Sequence, residues 1–241
     1  MKPAPPTINE AARLEALERY RILDTLGEQV YDDLTLLAAT LCGTPMAMIS
    51  LVDSDRQWFK SRIGLETQET PRDVAFCAHA ILDTATFVVP DATRDDRFVD
   101  NPLVTEQPAV RFYAGVPLTT PDGFNLGTLC VVDRQPRAIA PEQQRALEAL
   151  ARQVIALLEL RRLSSDLAEA LTRVKTLTGL LPICAHCKRV REDDGYWSEV
   201  ESFFSRHSDA AFSHGICPNC LKLHYPEAVG ESGEPHPGNL I

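Results

Sequence analysis

Two Cys-x-x-Cys pairs near the C-terminus constrain the fold of their segment more than any other feature of the chain. They are Cys184 and Cys187 in LPICAHCKRV, and Cys217 and Cys220 in HGICPNCLKL. Each pair has the tight spacing that lets two thiolates grip one metal ion, and the intervening stretch, 188–216, is long enough to leave and return. Four soft thiolates so arranged suit a tetrahedral, structural zinc ion. Such a site has no open position for water, so hydrolysis at the metal is not expected. Within the insertion, GYWSEVESFFSRH reads as a short amphipathic helix, with Trp197, Val200, Phe203 and Phe204 packed against the metal-held loops. His186 and His214 flank the cysteines and are candidate replacements for one of them, while Lys188, Arg189 and Arg191 offset the negative charge of a four-thiolate zinc. A module of about 45 residues has a marginal core, which a metal would reinforce. A thioredoxin-type redox pair needs a βαβ context that this segment lacks. An iron–sulfur cluster stays open, because spacing alone does not separate it from zinc.

The formal net charge of −10 argues against non-specific nucleic-acid binding, which needs clustered Lys and Arg, and KRVR is thin support for it. No run reaches the length of an apolar membrane span, and MKPAPPTINE has no apolar h-region. The expectation is therefore a cytoplasmic protein, where thiols stay reduced and paired cysteines are metal ligands or redox centres. The other cysteines, Cys42, Cys77 and Cys130, sit in TLCG, AFCAHAI and TLCVV and read as small buried hydrophobes.

Residues 1–8 form a disordered lead-in, followed by an α+β domain over 9–140. Helices are expected from Asn9 to Tyr20 and from Gln29 to Leu41, the second stopped by Gly43, Thr44 and Pro45. Strands follow in MAMISLVD and WFKSRIG, a helix from Val74 to Leu82, and a strand in ATFVVPD. ATRDDRFVDNPLV is a long polar loop. FYAGVPLTT and NLGTLCVVD are strands joined by a hairpin at Pro121, Asp122 and Gly123. Strands close in sequence and joined by hairpins predict an antiparallel sheet flanked by helices.

Pro141 opens a long helix, residues 141–181. Leu147, Leu150, Val154 and Leu157, and then Leu160, Leu163, Leu167, Ala170, Val174, Leu177 and Leu181, follow heptad spacing. The three-residue slip from Leu157 to Leu160 would locally overwind a coiled coil. The seam predicts a homodimer through residues 147–181; the alternative is a single amphipathic helix lying on its own domain. The four-cysteine module spans 182–226, and the Gly-, Pro- and Glu-rich tail 227–241 is disordered.

FCAHAI, VVPDATRDDRFVDNPLV, RFYAGVPL and LGTLCVVD, together with SLVDSDRQWFKS, resemble the GAF family of small-molecule sensory domains in order and spacing, over roughly residues 8 to 160. The resemblance implies a central antiparallel sheet with helices on one face and a ligand pocket under loops on the other. Candidate ligand-binding residues are Trp58, Phe76, Cys77, His79, Asp91, Arg97, Asn101, Arg111, Tyr113 and Cys130, which combine aromatic walls with a few polar groups. Cys77 with His79 invites tetrapyrrole attachment, as in photoreceptor relatives, or a thiol activated by His79, or ordinary packing; the surrounding motif departs from that of the photoreceptors, and packing is favoured. The C-terminal stretch resembles a zinc-binding-type tail that follows sensory or receiver domains in bacterial signalling proteins.

No histidine lies between His79 and His186, so the long helix has no phosphoacceptor of the histidine-kinase type, and no Walker loop is present. The expected function is a sensor and not an enzyme. A small molecule or redox state is read by the GAF-like domain, relayed through the paired helix, and passed to a zinc-stabilised module that docks an unidentified signalling protein. The alternatives are a thiol-dependent reductase, like the free methionine sulfoxide reductases of the family, and a nucleic-acid-binding regulator.

Overall fold

The uncharged run MAMISLV forms β1 (Met46–Val52), buried at every position. A computed structural model describes residues 1–175, 181–192, 194–208 and 211–228. The chain divides into two units, residues 1–167 and 168–241. Among the described residues the first unit carries one six-stranded sheet, in the order β3-β2-β1-β6-β5-β4. Its other strands are β2 (Arg56–Ile63), β3 (Glu69–Pro71), β4 (Phe87–Val89), β5 (Phe112–Thr119) and β6 (Asn125–Asp133). Every neighbouring pair is antiparallel. The β5–β6 hairpin turns through the expected Pro121, Asp122 and Gly123, with Gly123 in the left-handed region at φ 87°. The short edge strand β3 was not foreseen; three residues carry too little alternation to read.

Side chains along a strand alternate between faces. Ala47, Ile49 and Leu51 of β1, Leu129 and Val131 of β6, and Phe112, Ala114, Val116 and Leu118 of β5 face one way. They meet α1 (Glu10–Arg19), α2 (Gln29–Cys42) and the first half of α5 (Pro141–Lys175). α2 ends at Gly43, whose φ of 61° suits glycine and whose N–H returns to the last turn. The stripe that α5 buries is Leu147, Ala151, Val154 and Leu158, with Leu150 and Leu157 half-buried at its side. A straight helix lying on a sheet presents this 3.6-residue period, not the strict heptad read from the sequence. Lys60, buried, donates to Thr25 Oγ1 (2.9 Å), Leu26 O (2.7 Å) and Glu28 Oε1 (2.6 Å), and Arg161 of α5 donates to the same Glu28 (2.6 Å). Beyond that tie Leu163, Leu167 and Leu171 are exposed, as is Leu160 just before it. Leu177 and the expected helix end near Gly179 lie outside the described residues.

Met46, Met48 and Val52 of β1, Phe59 of β2, Tyr113 of β5, and Cys130 and Val132 of β6 face the opposite way. They are covered by α3 (Phe76–Ala80) and the segment 92–110, which holds α4 (Pro102–Thr105). The helix expected over Val74–Leu82 is shorter: Arg72–Val74 is a 3-10 turn, and Ala75 is extended between it and α3. Residues 1–8, expected to be unstructured, are held by contacts. Lys2 N donates to Arg97 O (3.2 Å), the Met1 amine pairs with Asp100, and Ala4 packs against this core.

In the second unit, β7 (Val190–Arg191) and β8 (Trp197–Ser198) form a hairpin closed by Glu192 N to Tyr196 O (2.8 Å), with Gly195 at φ 88°. The hairpin takes up the first part of the expected helix, so α6 covers only Val200–His207. Val190 and Phe203 are buried, while Trp197 is exposed because the pleat of β8 turns it outward. Phe204 packs edge-on against Phe203 and Phe212. α7 (Pro218–His224) follows.

One buried charge fixes α1. Arg13 donates to Val52 O (2.7 Å) at the end of β1 and to Glu10 Oε1 (2.5 Å), and Arg72 also reaches Glu10 (2.7 Å). Burial alone would raise the Glu10 pKa, but hydrogen bonds from Arg13, Arg72 and Thr7 hold it far below the ordinary carboxylate range. A carboxylate with a depressed pKa contributes stability that is full above the unfolded-state value of about 4.3 and is lost as pH falls through the folded value. Glu10→Gln is therefore expected to cost about 2 kcal/mol near neutral pH, less than breaking a fully buried pair. Urea unfolding at about pH 3 should show a smaller gap between variant and wild type; an undiminished gap would contradict the assignment.

Candidate functional site

On the face of the sheet away from α1, α2 and α5 lies a cavity of about 460 Å³. Met46, Met48 and Val132 form part of its lining from β1 and β6, Gln57 and Phe59 from β2, and Thr70 from β3. Phe76, Cys77 and Tyr113 also line it, as do residues of three loops, among them Leu65, Glu66, Pro108 and Arg134. The size and the mainly apolar lining suit a small molecule. Two polar atoms stand out among the described residues. Gln57 Oε1 and Thr70 Oγ1, on residues paired across β2 and β3, are buried and have no hydrogen-bond partner. A buried polar group without a partner is destabilising, and both atoms are open to a further hydrogen bond.

A cluster of thiols and hydroxyls adjoins the cavity. Cys77 Sγ accepts from Thr128 Oγ1 (3.0 Å) and Tyr113 Oη (3.2 Å), and lies 3.8 Å from Cys130 Sγ. Ser50 Oγ is 3.2 Å from Thr128 Oγ1, and the Cys130 thiol points to Met48 O at 3.7 Å. Gly115 makes room for this, because a Cβ there would fall 2.2 Å from Tyr113 Oη. Burial raises a thiol's pKa, yet hydrogen bonds from Cys130, Ser50, Thr128 and Tyr113 outweigh it and pull Cys77 below its ordinary value. The same burial, with the adjoining Cys77 thiolate, pushes Cys130 and Tyr113 upward.

The candidate residues read from the sequence fall in several places. Phe76, Cys77 and Tyr113 line the cavity, and Cys130 adjoins it behind Cys77. Cys77 and Cys130 are buried as expected, but against each other and three hydroxyls, not in purely apolar surroundings. Cys42 is buried in the helix-facing core. Trp58 is in that core too, since the pleat of β2 puts Gln57 and Phe59 on the cavity side and Trp58 on the other. Asn101 caps α4, accepting from Leu103 N (2.9 Å) and donating to Val74 O (2.9 Å). Asp91 accepts from Thr93 N and Oγ1, and Arg111 donates to Val104 O (2.8 Å). Arg97 pairs with Asp95 (2.6 Å) and covers the rings of Phe87 and Phe98.

His79 shares a hydrogen bond with Lys2 O (3.0 Å) and packs edge-on against Phe98. It does not activate Cys77, because residues two apart on a helix face different ways, and the groups that lower Cys77 are the four named above. Sequence reading missed Gln57 and Thr70, although the alternation through RQWFKS carries the signal for Gln57.

In the second unit each Cys-x-x-Cys pair forms a local turn. Cys184 N donates to Arg189 O (2.8 Å) and Lys188 N to Cys184 O (3.0 Å), with Lys188 at φ 63°. Backbone N–H groups of Cys187, His186 and Lys188 hold the Cys184 thiol below its ordinary pKa. Cys217 caps α7 and accepts from Cys220 N (3.5 Å), which lowers it likewise, while Cys220 is raised by its Cys217 neighbour. Arg189 pairs with Glu199 (2.9 Å), and His186 and His214 are exposed. Among the described residues no group of three or more His, Cys, Asp or Glu gathers at one point.

The family model described as GAF domain matches residues 27–158. A cyclic di-GMP phosphodiesterase of Pseudomonas aeruginosa is 45% identical over 149 residues, 61% of this chain and 25% of the relative. The chain thus spans a quarter of that curated relative. Among solved structures, the GAF domain of an Acinetobacter phosphoenolpyruvate-protein phosphotransferase is 16% identical with a TM-score of 0.47, covering 64% of this chain and 98% of that one. The blue-light absorbing form of the Thermosynechococcus elongatus PixJ GAF domain is 17% identical with a TM-score of 0.48, covering 64% and 94%.

Removing one donor from the thiol cluster should move its titration. Thr128→Val keeps the side-chain shape, and the pH midpoint for alkylation of Cys77 by iodoacetamide, read by peptide mapping, is expected to rise by about one pH unit. An unchanged midpoint would remove Thr128 from the set of groups that tune this thiol.

Proposed function

The chain belongs to the GAF domain family, and from that premise we propose that it is a signalling protein that binds a small molecule in the cavity and relays occupancy to a metal-stabilised docking module. The observation that carries this reading is the cavity of about 460 Å³ with two buried, unpartnered polar atoms, Gln57 Oε1 and Thr70 Oγ1, on its wall. A ligand with an apolar body and one polar edge completes both. The Pseudomonas relative is named for cyclic di-GMP breakdown, and its 45% identity here supports a place in signalling for the shared segment. We read that segment as the sensor and not the catalyst. Among the described residues no helix is long and apolar enough to cross a membrane.

The relay is α5, paired with α5 of a second copy. The support is its exposed Leu160, Leu163, Leu167 and Leu171, which continue past the part that seals the domain core. Occupancy would favour one packing of the paired helices over another, with the spacing slip near Leu160 as the place where two registers meet.

The four-cysteine module is held by zinc through Cys184, Cys187, Cys217 and Cys220. Support comes from two turns that each present a pair of thiols, Cys184 and Cys217 being eased toward thiolate by backbone N–H groups. Thiolate donors of this kind suit zinc, and the bound ion would supply stability to a unit with little core of its own.

Native mass spectrometry tests the whole reading. One zinc per chain and a dimer are expected, with Cys184→Ser losing the metal and Leu163→Glu with Leu167→Glu giving a monomer. Gln57→Leu should weaken the retained small molecule roughly tenfold, as loss of one buried hydrogen bond does. A wild-type monomer at high concentration would end the relay scheme, and a metal-free chain would end the zinc assignment.

A further inference from the structure

We propose that Cys77 and Cys130 close into a disulfide when a hydroperoxide enters the cavity, which makes the floor of the pocket an oxidation-sensitive switch. The proposal starts from contact: the two sulfurs lie 3.8 Å apart, although 53 residues separate them in sequence. Disulfide formation brings two sulfurs to about 2.05 Å, so an approach of about 1.8 Å is needed. The two sit on elements of unequal rigidity. Cys130 is in β6, hydrogen-bonded to β1 and β5 on its two sides. Cys77 is in the five-residue α3, entered through the single extended residue Ala75. The short helix is the part that moves.

Access and chemistry are both present. Cys77 lines the cavity, so a small oxidant that enters it meets this residue, although Cys77 is only 1% exposed. Thr128 Oγ1 and Tyr113 Oη donate to that sulfur, as a thiolate requires, while the Cys130 thiol, 3.8 Å away, still holds its proton. In the first step the Cys77 thiolate attacks one oxygen of the hydroperoxide. The O–O bond breaks, and the departing oxygen takes the proton that Cys77 released and leaves as an alcohol, or as water from hydrogen peroxide. Cys77 is then a sulfenic acid. In the second step the Cys130 sulfur attacks the Cys77 sulfur and the S–O bond breaks. The hydroxide leaves with the Cys130 proton as water. Two thiols are oxidised by two electrons, and one peroxide is reduced.

The switch would act on the ligand site directly. Phe76, next to Cys77, lines the cavity and stacks on Phe98 at 3.9 Å, and Tyr113 packs against Phe76 at 5.3 Å. Pulling α3 toward β6 shifts this wall, so oxidation and ligand occupancy oppose each other at one place.

The test treats the full-length chain with hydrogen peroxide, blocks free thiols under denaturing conditions and maps the peptides without reduction. A peptide linking Cys77 to Cys130 is expected in most molecules, and dithiothreitol should remove it. In Cys130→Ser the reaction should stop at a sulfenic acid, trapped on Cys77 by dimedone, and in Cys77→Ser residue Cys130 should stay reduced. Circular dichroism shows that each protein is folded, and the wild-type map stands even where a variant is not. If the linked peptide is absent from a folded chain whose C-terminal cysteines have already oxidised, or forms only after denaturant is added, the proposal is overturned.

Discussion

Burial of the sheet on both faces is the constraint on which the rest of the first unit depends. β1, β5 and β6 are covered on one side by α1, α2 and α5, and on the other by α3 and the 92–110 segment. Alternation along each strand then assigns every residue to one core or the other. Ile49 belongs with the helices and Met48 with the cavity; Leu129 with the helices and Cys130 with the thiol cluster. A shift of register by one residue would exchange the two sets, turning the sulfur and hydroxyl groups into an oily core that cannot satisfy them.

This parity explains what the sequence revealed and what it concealed. The longer strands, the two N-terminal helices and the long helix were legible because hydrophobic period and turn residues are local signals. The family resemblance, carried by FCAHAI and LGTLCVVD among other motifs, pointed to the right part of the chain. Membership in the site was not local. Trp58 reads as an aromatic wall, yet its neighbour Gln57 faces the cavity. Asn101 and Arg111 read as polar ligand contacts, but they satisfy backbone carbonyl and amide groups of the covering loop and of the turn before α3. A long loop over a sheet has many backbone groups to satisfy, and such loops recruit polar side chains for that task. The meeting of Cys77 with Cys130 depends on α3 crossing β6, which no spacing rule reports.

The thiol cluster is unusual for a core because its members depend on one another. Tyr113 and Thr128 each donate to Cys77, and Tyr113, Thr128 and Ser50 lie within hydrogen-bonding reach of one another in sequence along the cluster. Each polar group is bearable at this depth because the next one completes it. Gly115 belongs to the same arrangement, since any side chain there would occupy the place of the Tyr113 hydroxyl. A core chosen for stability alone would place apolar groups here. Three hydroxyl groups and two thiols stand here instead, beside the cavity.

The long helix divides into a part that seals the core and a part whose leucines are exposed. Its first half is fixed by Leu147, Ala151, Val154 and Leu158, and by the Arg161–Glu28 ion pair. Leu163 and Leu167, on the turns that follow, have no such cover. A helix that served only to seal the core would gain nothing from these leucines, whose exposure favours self-association. The helix is continuous from Pro141 to Lys175, so the sealed and the exposed leucines belong to one element. The sheet divides the two cores: α3 touches β6 on the cavity side, and Leu129 and Val131 of β6 lie in the core that α5 closes. One strand thus separates the cysteine pair from the core that the helix closes.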